Sequence, residues 1–283
     1  MNNLNFEDLI NQVCAITGGA GVIGSALAQG LSQLGVKIAI LDINEEKAIE
    51  TASIIANSTG GIVNGYKANV LDKESLQKAK EKINSDLGPI TLLINGAGGN
   101  HPKATTKFET IEKENINELE GSFFGLDIDS FDFVFNLNFK GTIISTMVLT
   151  RDMLVTGKGS VINISSMNAF KPLTKIPAYS AAKASVNNFT QWLAVHLAKT
   201  GIRVNAIAPG FLFTTQNRFL LVDEKTGEPT MRGKKIIANT PMGRYGETEE
   251  LVGTILYLLS DVSIFVTGIT VPVDGGYSAY GGI

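Results

Sequence analysis

Short apolar runs alternate along this chain with longer stretches whose apolar positions recur every three or four residues. Residues 13–16, 37–41, 61–68, 90–94, 160–164, 203–208 and 269–273 read as strands. Most of these runs are apolar throughout and rich in Val and Ile, the pattern of strands covered on both faces. Residues 22–34, 45–56, 73–87, 130–155, 178–199 and 248–259 carry the helical period. Strand–helix repetition predicts a seven-stranded parallel sheet with helices on both faces. Right-handed crossovers make such an α/β sheet doubly wound.

Two segments break the repeat. Residues 98–129 form a polar insertion after the fourth strand, and 210–246 a longer one after the sixth. Both follow carboxyl ends of strands, where open α/β sheets bind ligands, so they are expected to form the pocket wall and lid. No internal repeat or linker divides residues 1–283, and one domain is expected.

Composition changes this picture little. At 44% hydrophobic and 18% charged residues, a large core can be buried. A net charge of −3 offers no footprint for nucleic acid or anionic lipid. No apolar run is long enough to span a bilayer, so no membrane association is expected. A lone cysteine, Cys14, and a start without a basic cluster favour the cytoplasm over export. Metal binding is not expected: His101 and His196 stand 95 positions apart, with no acidic cluster converging on either.

The turn after the first strand reads Thr17-Gly18-Gly19-Ala20-Gly21-Val22-Ile23-Gly24. Glycines suit a sharp turn where backbone must approach a pyrophosphate, and the following helix start offers free N–H groups. Asp42 ends the second strand, where a carboxylate can take the ribose hydroxyls of NAD and repel the 2′-phosphate of NADP. Capping of the helix starting near residue 45 is the structural alternative for Asp42.

Tyr179 and Lys183 are four residues apart, on one face of a helix. A phenol titrates near pH 10, and a neighbouring ammonium favours its ionised form, which makes the pair a proton carrier for alcohol–ketone chemistry. Ser166, at the end of the fifth strand, brings a hydroxyl to the same crevice.

Together these segments resemble the short-chain dehydrogenase/reductase family over almost the whole chain. The resemblance implies a Rossmann-type fold and NAD as cofactor. It implies Tyr179 as acid/base, Lys183 as ribose ligand and phenol activator, Ser166 as orienter of the substrate oxygen, and Asn138 as holder of a relay water. Asn95, Ala97 and Gly98 match the segment after the fourth strand, and Pro209, Gly210 and Thr214 the carboxamide-binding segment. Asn69 and Val70 stand where an Asp-Val pair usually touches adenine, Val22 replaces the middle glycine of the first motif, and Gly96 replaces an Asn.

The run Gly98–Thr106, with Thr215-Gln216-Asn217-Arg218 and the tail 276–280, resembles the D-mannonate oxidoreductase (fructuronate reductase) group of this family. That resemblance implies a sugar acid, D-mannonate/D-fructuronate, exchanging hydride at C5 with NAD(H). A sugar acid needs a cation and polar donors, and His101, Lys103, Asn168 and Arg218 are the candidate substrate contacts, with Lys171 a further loop cation. Gluconate 5-dehydrogenase chemistry is an alternative, as is a non-catalytic NAD-binding regulator, against which the complete Asn138, Ser166, Tyr179, Lys183 set argues. The family resemblance also implies a homotetramer, paired through helices 130–155 and 178–199 and through the C-terminal region.

Overall fold

A computed structural model describes residues 5–214, 217–224 and 226–282. Its centre is a parallel sheet of β1 (Val13–Thr17), β2 (Lys37–Asp42), β3 (Val63–Lys67), β4 (Leu92–Asn95), β5 (Gly159–Ile164), β6 (Ile202–Pro209) and β7 (Thr270–Val273). The strand order is 3-2-1-4-5-6-7, so the winding direction reverses between β1 and β4. That reversal opens a crevice at the carboxyl ends of the strands.

The helices are α1 (Val22–Gln33), α2 (Glu45–Thr59), α3 (Lys73–Asp86), α4 (Ile128–Phe135), α5 (Gly141–Leu149), α6 (Arg151–Thr156), α7 (Pro177–Leu197), α8 (Arg218–Leu221), α9 (Met231–Ala238) and α10 (Val252–Leu259). Strand residues alternate between two cores. Cys14, Ile16, Ile162 and Ile164 join Leu27 and Leu31 of α1, Ile55 of α2 and Ile255 of α10. Val13, Ala15 and Val161 join Leu76 of α3, Val148 of α5 and Leu193 of α7. The edge strand β7 is only half covered, unlike the continuous burial expected from its apolar sequence.

The segment 130–155, expected as one helix, is three. Between α4 and α5 the chain makes one π turn, Asn136–Lys140, centred on Asn138. Thr142, Thr146 and Thr150 then each donate a hydroxyl to the carbonyl four residues back, at 2.9, 2.7 and 2.7 Å. Such back-bonding bends helices, and single π turns recur at functional sites. Residues 98–129 are built of short 3₁₀ turns, and 210–246 contain α8 and α9.

Candidate active site

The turn between β1 and α1 is closed by glycines. Gly18 has φ +63°, and a Cβ there would stand 2.8 Å from the Ala97 Cα. A Cβ on Gly24 would stand 2.5 Å from the Gly18 carbonyl oxygen, and one on Gly19 2.8 Å from that of Ile16. Gly21 is the N-cap of α1 in extended conformation, and Ser25 N–H bonds its carbonyl. The amides of Val22, Ile23 and Gly24 therefore precede the first intrahelical bond and are left for an anion. Gly21 caps α1 in an ordinary extended conformation, with a Cβ there 3.2 Å from the Gly18 carbonyl oxygen, and Val22 is already helical.

Thr17, which the sequence reading passed over, fixes the opposite wall. Its hydroxyl oxygen accepts from the Gly96 and Ala97 amides at 3.1 and 3.2 Å. Asp42 accepts from the Asn44 amide at 3.1 Å, while Asn44 itself caps α2 by accepting from Lys47 at 3.0 Å. The helix-capping alternative for Asp42 thus falls to Asn44. Asn69 spends its side-chain oxygen on the Leu71 amide. Val70 meets α5 at Gly141, where a Cβ would stand 2.9 Å from the valine methyl. Gly210 passes so close to Asp274 that a Cβ would stand 2.6 Å from its Cα. The Thr214 amide donates to Asn217 at 2.9 Å, shaping the turn after Pro209.

Ser166, Tyr179 and Lys183 converge at the carboxyl end of β5. The Ser166 hydroxyl oxygen accepts from the Asn168 amide at 3.2 Å. Lys183 Nζ donates to the Ile164 carbonyl at 2.8 Å and stands 5.5 Å from the Tyr179 ring centre. Burial pushes the Lys183 ammonium down to about 8. Burial also raises the Tyr179 phenol above its usual 10, with the Ser166 hydroxyl pulling the other way. Loss of hydration is the larger influence on the phenol, because a buried phenolate is costly. At neutral pH the phenol is protonated, the form that gives a proton to a carbonyl oxygen.

The Asn138 amide nitrogen donates to the carbonyls of Gly99 and Val134 at 2.7 and 2.8 Å, and its oxygen accepts from Gly99 at 3.2 Å. Its side chain ties the first insertion to the π turn rather than presenting both amide hydrogens to water. A Cβ on Gly98 would stand 2.4 Å from the Asn138 oxygen and 3.4 Å from Lys183 Nζ, so only glycine passes between them.

The candidate substrate contacts differ in freedom. His101 Nδ1 accepts from the Lys103 amide at 3.3 Å, which leaves Nε2 as the donor of the neutral ring. Exposed Lys103 lies near Asp127, whose carboxyl is held below its usual range by the Ser130 hydrogen bond, then by Lys103 and His101. Arg218 stacks 5.6 Å over Phe213 and is exposed. The Asn168 side-chain oxygen is buried without a protein partner among the described residues. Lys171 is spent on the Tyr280 carbonyl in the C-terminal tail. Thr215 and Gln216 lie outside the described residues.

A family profile described as enoyl-(acyl carrier protein) reductase matches residues 18–278. The chain is 50% identical over 278 residues to the "Uncharacterized oxidoreductase UxuB" of Bacillus subtilis (strain 168), covering 98% of each protein. It is 51% identical to a crystal structure of a candidate D-mannonate oxidoreductase from Haemophilus influenza with bound NAD, with a TM-score of 0.92 over 98% of this chain and 99% of that one. A gluconate 5-dehydrogenase from Burkholderia cenocepacia, in complex with NADP and tartrate, superposes with a TM-score of 0.81 at 29% identity, covering 96% of this chain and 97% of that one.

Proposed function

The chain belongs to the short-chain dehydrogenase/reductase family, and from that premise we propose that it interconverts D-fructuronate and D-mannonate with NAD(H). The observation that carries the redox assignment is the convergence of Ser166, Tyr179 and Lys183 beside a glycine turn that a Cβ at Gly18 or Gly24 would fill. That cradle fits a dinucleotide pyrophosphate at the start of α1. The chemistry NAD(H) supplies when bound is hydride exchange with the C5 carbon. Val22, Ile23 and Gly24 amides hold the anion, and Asp42 takes the ribose hydroxyls. Lys183 takes the second ribose.

In the reducing direction, Ser166 orients the C5 carbonyl and Tyr179 donates its proton to that oxygen as hydride reaches the carbon. The Lys183 ammonium stabilises the charge left on the phenol, which regains its proton from solvent. Tyr179 is protonated at neutral pH and so serves as the donor in that direction. The sugar-acid assignment is supported by the 51% identity to the candidate D-mannonate oxidoreductase. His101, Asn168 and Arg218 then meet the hydroxyls and far carboxylate, with Lys103 a weaker partner because Asp127 competes for it. The same reading makes the protein a homotetramer through α5 and α7, whose Met147, Trp192 and Val195 are exposed.

A second reading, gluconate oxidation at C5, draws on the likeness to the gluconate 5-dehydrogenase. A cofactor-consumption assay with D-fructuronate, D-mannonate and gluconate separates the two. Tyr179→Phe deletes only the hydroxyl and is expected to lower kcat by about 10² or more while NADH still binds. Near-wild-type turnover by a pure Tyr179→Phe preparation removes Tyr179 from the mechanism.

A further inference from the structure

We propose that Ser165 and Asn187 are positioning residues, which clamp α7 to the end of β5 and so hold Tyr179 and Lys183 against Ser166. The proposal rests on the dehydrogenase reading for the roles of Tyr179 and Lys183, and goes beyond it in assigning two residues outside the Ser166, Tyr179 and Lys183 set.

Three consecutive residues at the end of β5 engage α7. The Ile164 carbonyl accepts from Lys183 Nζ at 2.8 Å. The Ser165 hydroxyl lies 3.3 Å from the Lys183 carbonyl and 2.5 Å from the Asn187 side-chain oxygen. Ser166 stands beside the Tyr179 phenol. Along α7, Tyr179, Lys183 and Asn187 follow at four-residue intervals, one stripe on the helix. In sequence Ser165 thus stands between the residue that anchors Lys183 and the one that faces Tyr179, and it grips α7 one turn beyond Lys183.

Ser165 is itself held rigidly. It is 2% exposed, and its amide donates to the Ile207 carbonyl of β6 at 2.8 Å. Two residues earlier on the same face of β5, Asn163 repeats the device one layer deeper. Its amide donates to the Thr190 hydroxyl of α7 at 2.9 Å and its oxygen accepts from Asn95 at 2.9 Å. Asn95 also donates to Thr146 of α5 at 2.9 Å. Polar anchors therefore join α5, the sheet and α7 in the layers under the reacting groups, where Val161 marks the start of the apolar core. A buried hydroxyl that directs its one hydrogen at Asn187, with the Lys183 carbonyl as a weaker second acceptor, defines the register of a helix more narrowly than apolar contact, because that bond fails when the helix slides. Proton transfer requires hydrogen-bond reach, and a displacement of about 1 Å can cost about 10²-fold in rate.

The test compares Ser165→Ala and Asn187→Leu, which break the clamp, with Ser165→Thr and Asn187→Asp, which keep the hydroxyl or the acceptor. With D-fructuronate and NADH, the breaking variants should lose about tenfold or more in kcat with KM for D-fructuronate within about twofold of wild type; at least one conservative variant should recover most of it. A substrate-free arm uses protein labelled at tyrosine Cζ, with the Tyr179 resonance identified as the one absent from Tyr179→Phe. In Ser165→Ala that resonance should move while the other five tyrosines of the six stay in place. Unchanged kcat and an unmoved Tyr179 resonance in both breaking variants overturn the proposal. So does a loss accompanied by shifts of all tyrosines and no recovery in either conservative variant, the mark of general destabilisation. If wild type does not act on D-fructuronate, the substrate reading fails alone, and the Tyr179 resonance decides this proposal.

Discussion

Lys183 carries its charge into the interior and pays for it in stability. Its ammonium is pushed from 10.5 to about 8 by burial. Because the folded value lies below the unfolded one, the unfolded chain binds more protons between about pH 8 and 10.5. Stability contributed at this site therefore rises with pH across that window and is lowest below it. The cost at neutral pH is about 3 kcal/mol, at 1.36 kcal/mol per unit. Lys183→Met keeps the stem and deletes the charge. Calorimetry should find its Tm at pH 7 equal to or above that of wild type, an advantage that shrinks by about pH 10.5, with turnover lost; a Tm deficit that is constant across that range contradicts the argument. The role proposed for Asp42 also works through charge, by repelling the 2′-phosphate of NADP. Asp42→Ala should narrow the preference for NAD over NADP, chiefly through the KM for NADP, and a wild-type enzyme faster with NADPH would refute the role.

At the scale of elements, the start of α1 and the π turn matter most. Both place backbone where side chains would otherwise stand. Two glycines of one motif should respond differently to the same change. A Cβ on Gly24 collides with the Gly18 carbonyl at 2.5 Å, whereas one on Gly21 meets it at 3.2 Å from an ordinary extended conformation. Gly24→Ala should weaken NADH binding by about tenfold or more, equivalent to about 1.4 kcal/mol, and Gly21→Ala by clearly less, as read by NADH fluorescence titration. Equal losses would mean that the collision at Gly24 is not what the motif avoids. The π turn was not legible in the sequence. The apolar period runs unbroken through 130–155, and the Asn138 side chain at the π turn bonds both the Val134 carbonyl four residues back and the Gly99 carbonyl of the first insertion, a contact no local pattern records.

For the molecule as a whole, the two insertions meet through an ion pair. Lys235 of α9 bonds Glu109 of the first insertion at 2.6 Å, and the Thr106 amide donates to the Lys175 carbonyl in the loop before α7 at 2.9 Å. The ion pair is exposed, so it sets the approach of the two segments rather than the stability of the fold. Lys235→Glu should raise the KM for the sugar acid several-fold at low salt and leave NADH affinity unchanged. Adding Glu109→Lys should restore it. A KM that ignores both changes would separate the insertions into independent loops.

The seven strands, most of the helices between them, the glycine turn and the Tyr179–Lys183 spacing are all written in the chain's local pattern. These are local properties: hydrophobic period, positive-φ demand and helical register all act within a few residues. Only the tertiary structure decided which groups hold the site together. Thr17 reaches the 96–97 amides, Ser165 reaches Asn187, and Asn163 reaches Thr190, each across a gap that no periodicity records. The desolvation that raises the Tyr179 phenol is likewise a tertiary property, because it depends on everything packed around the ring.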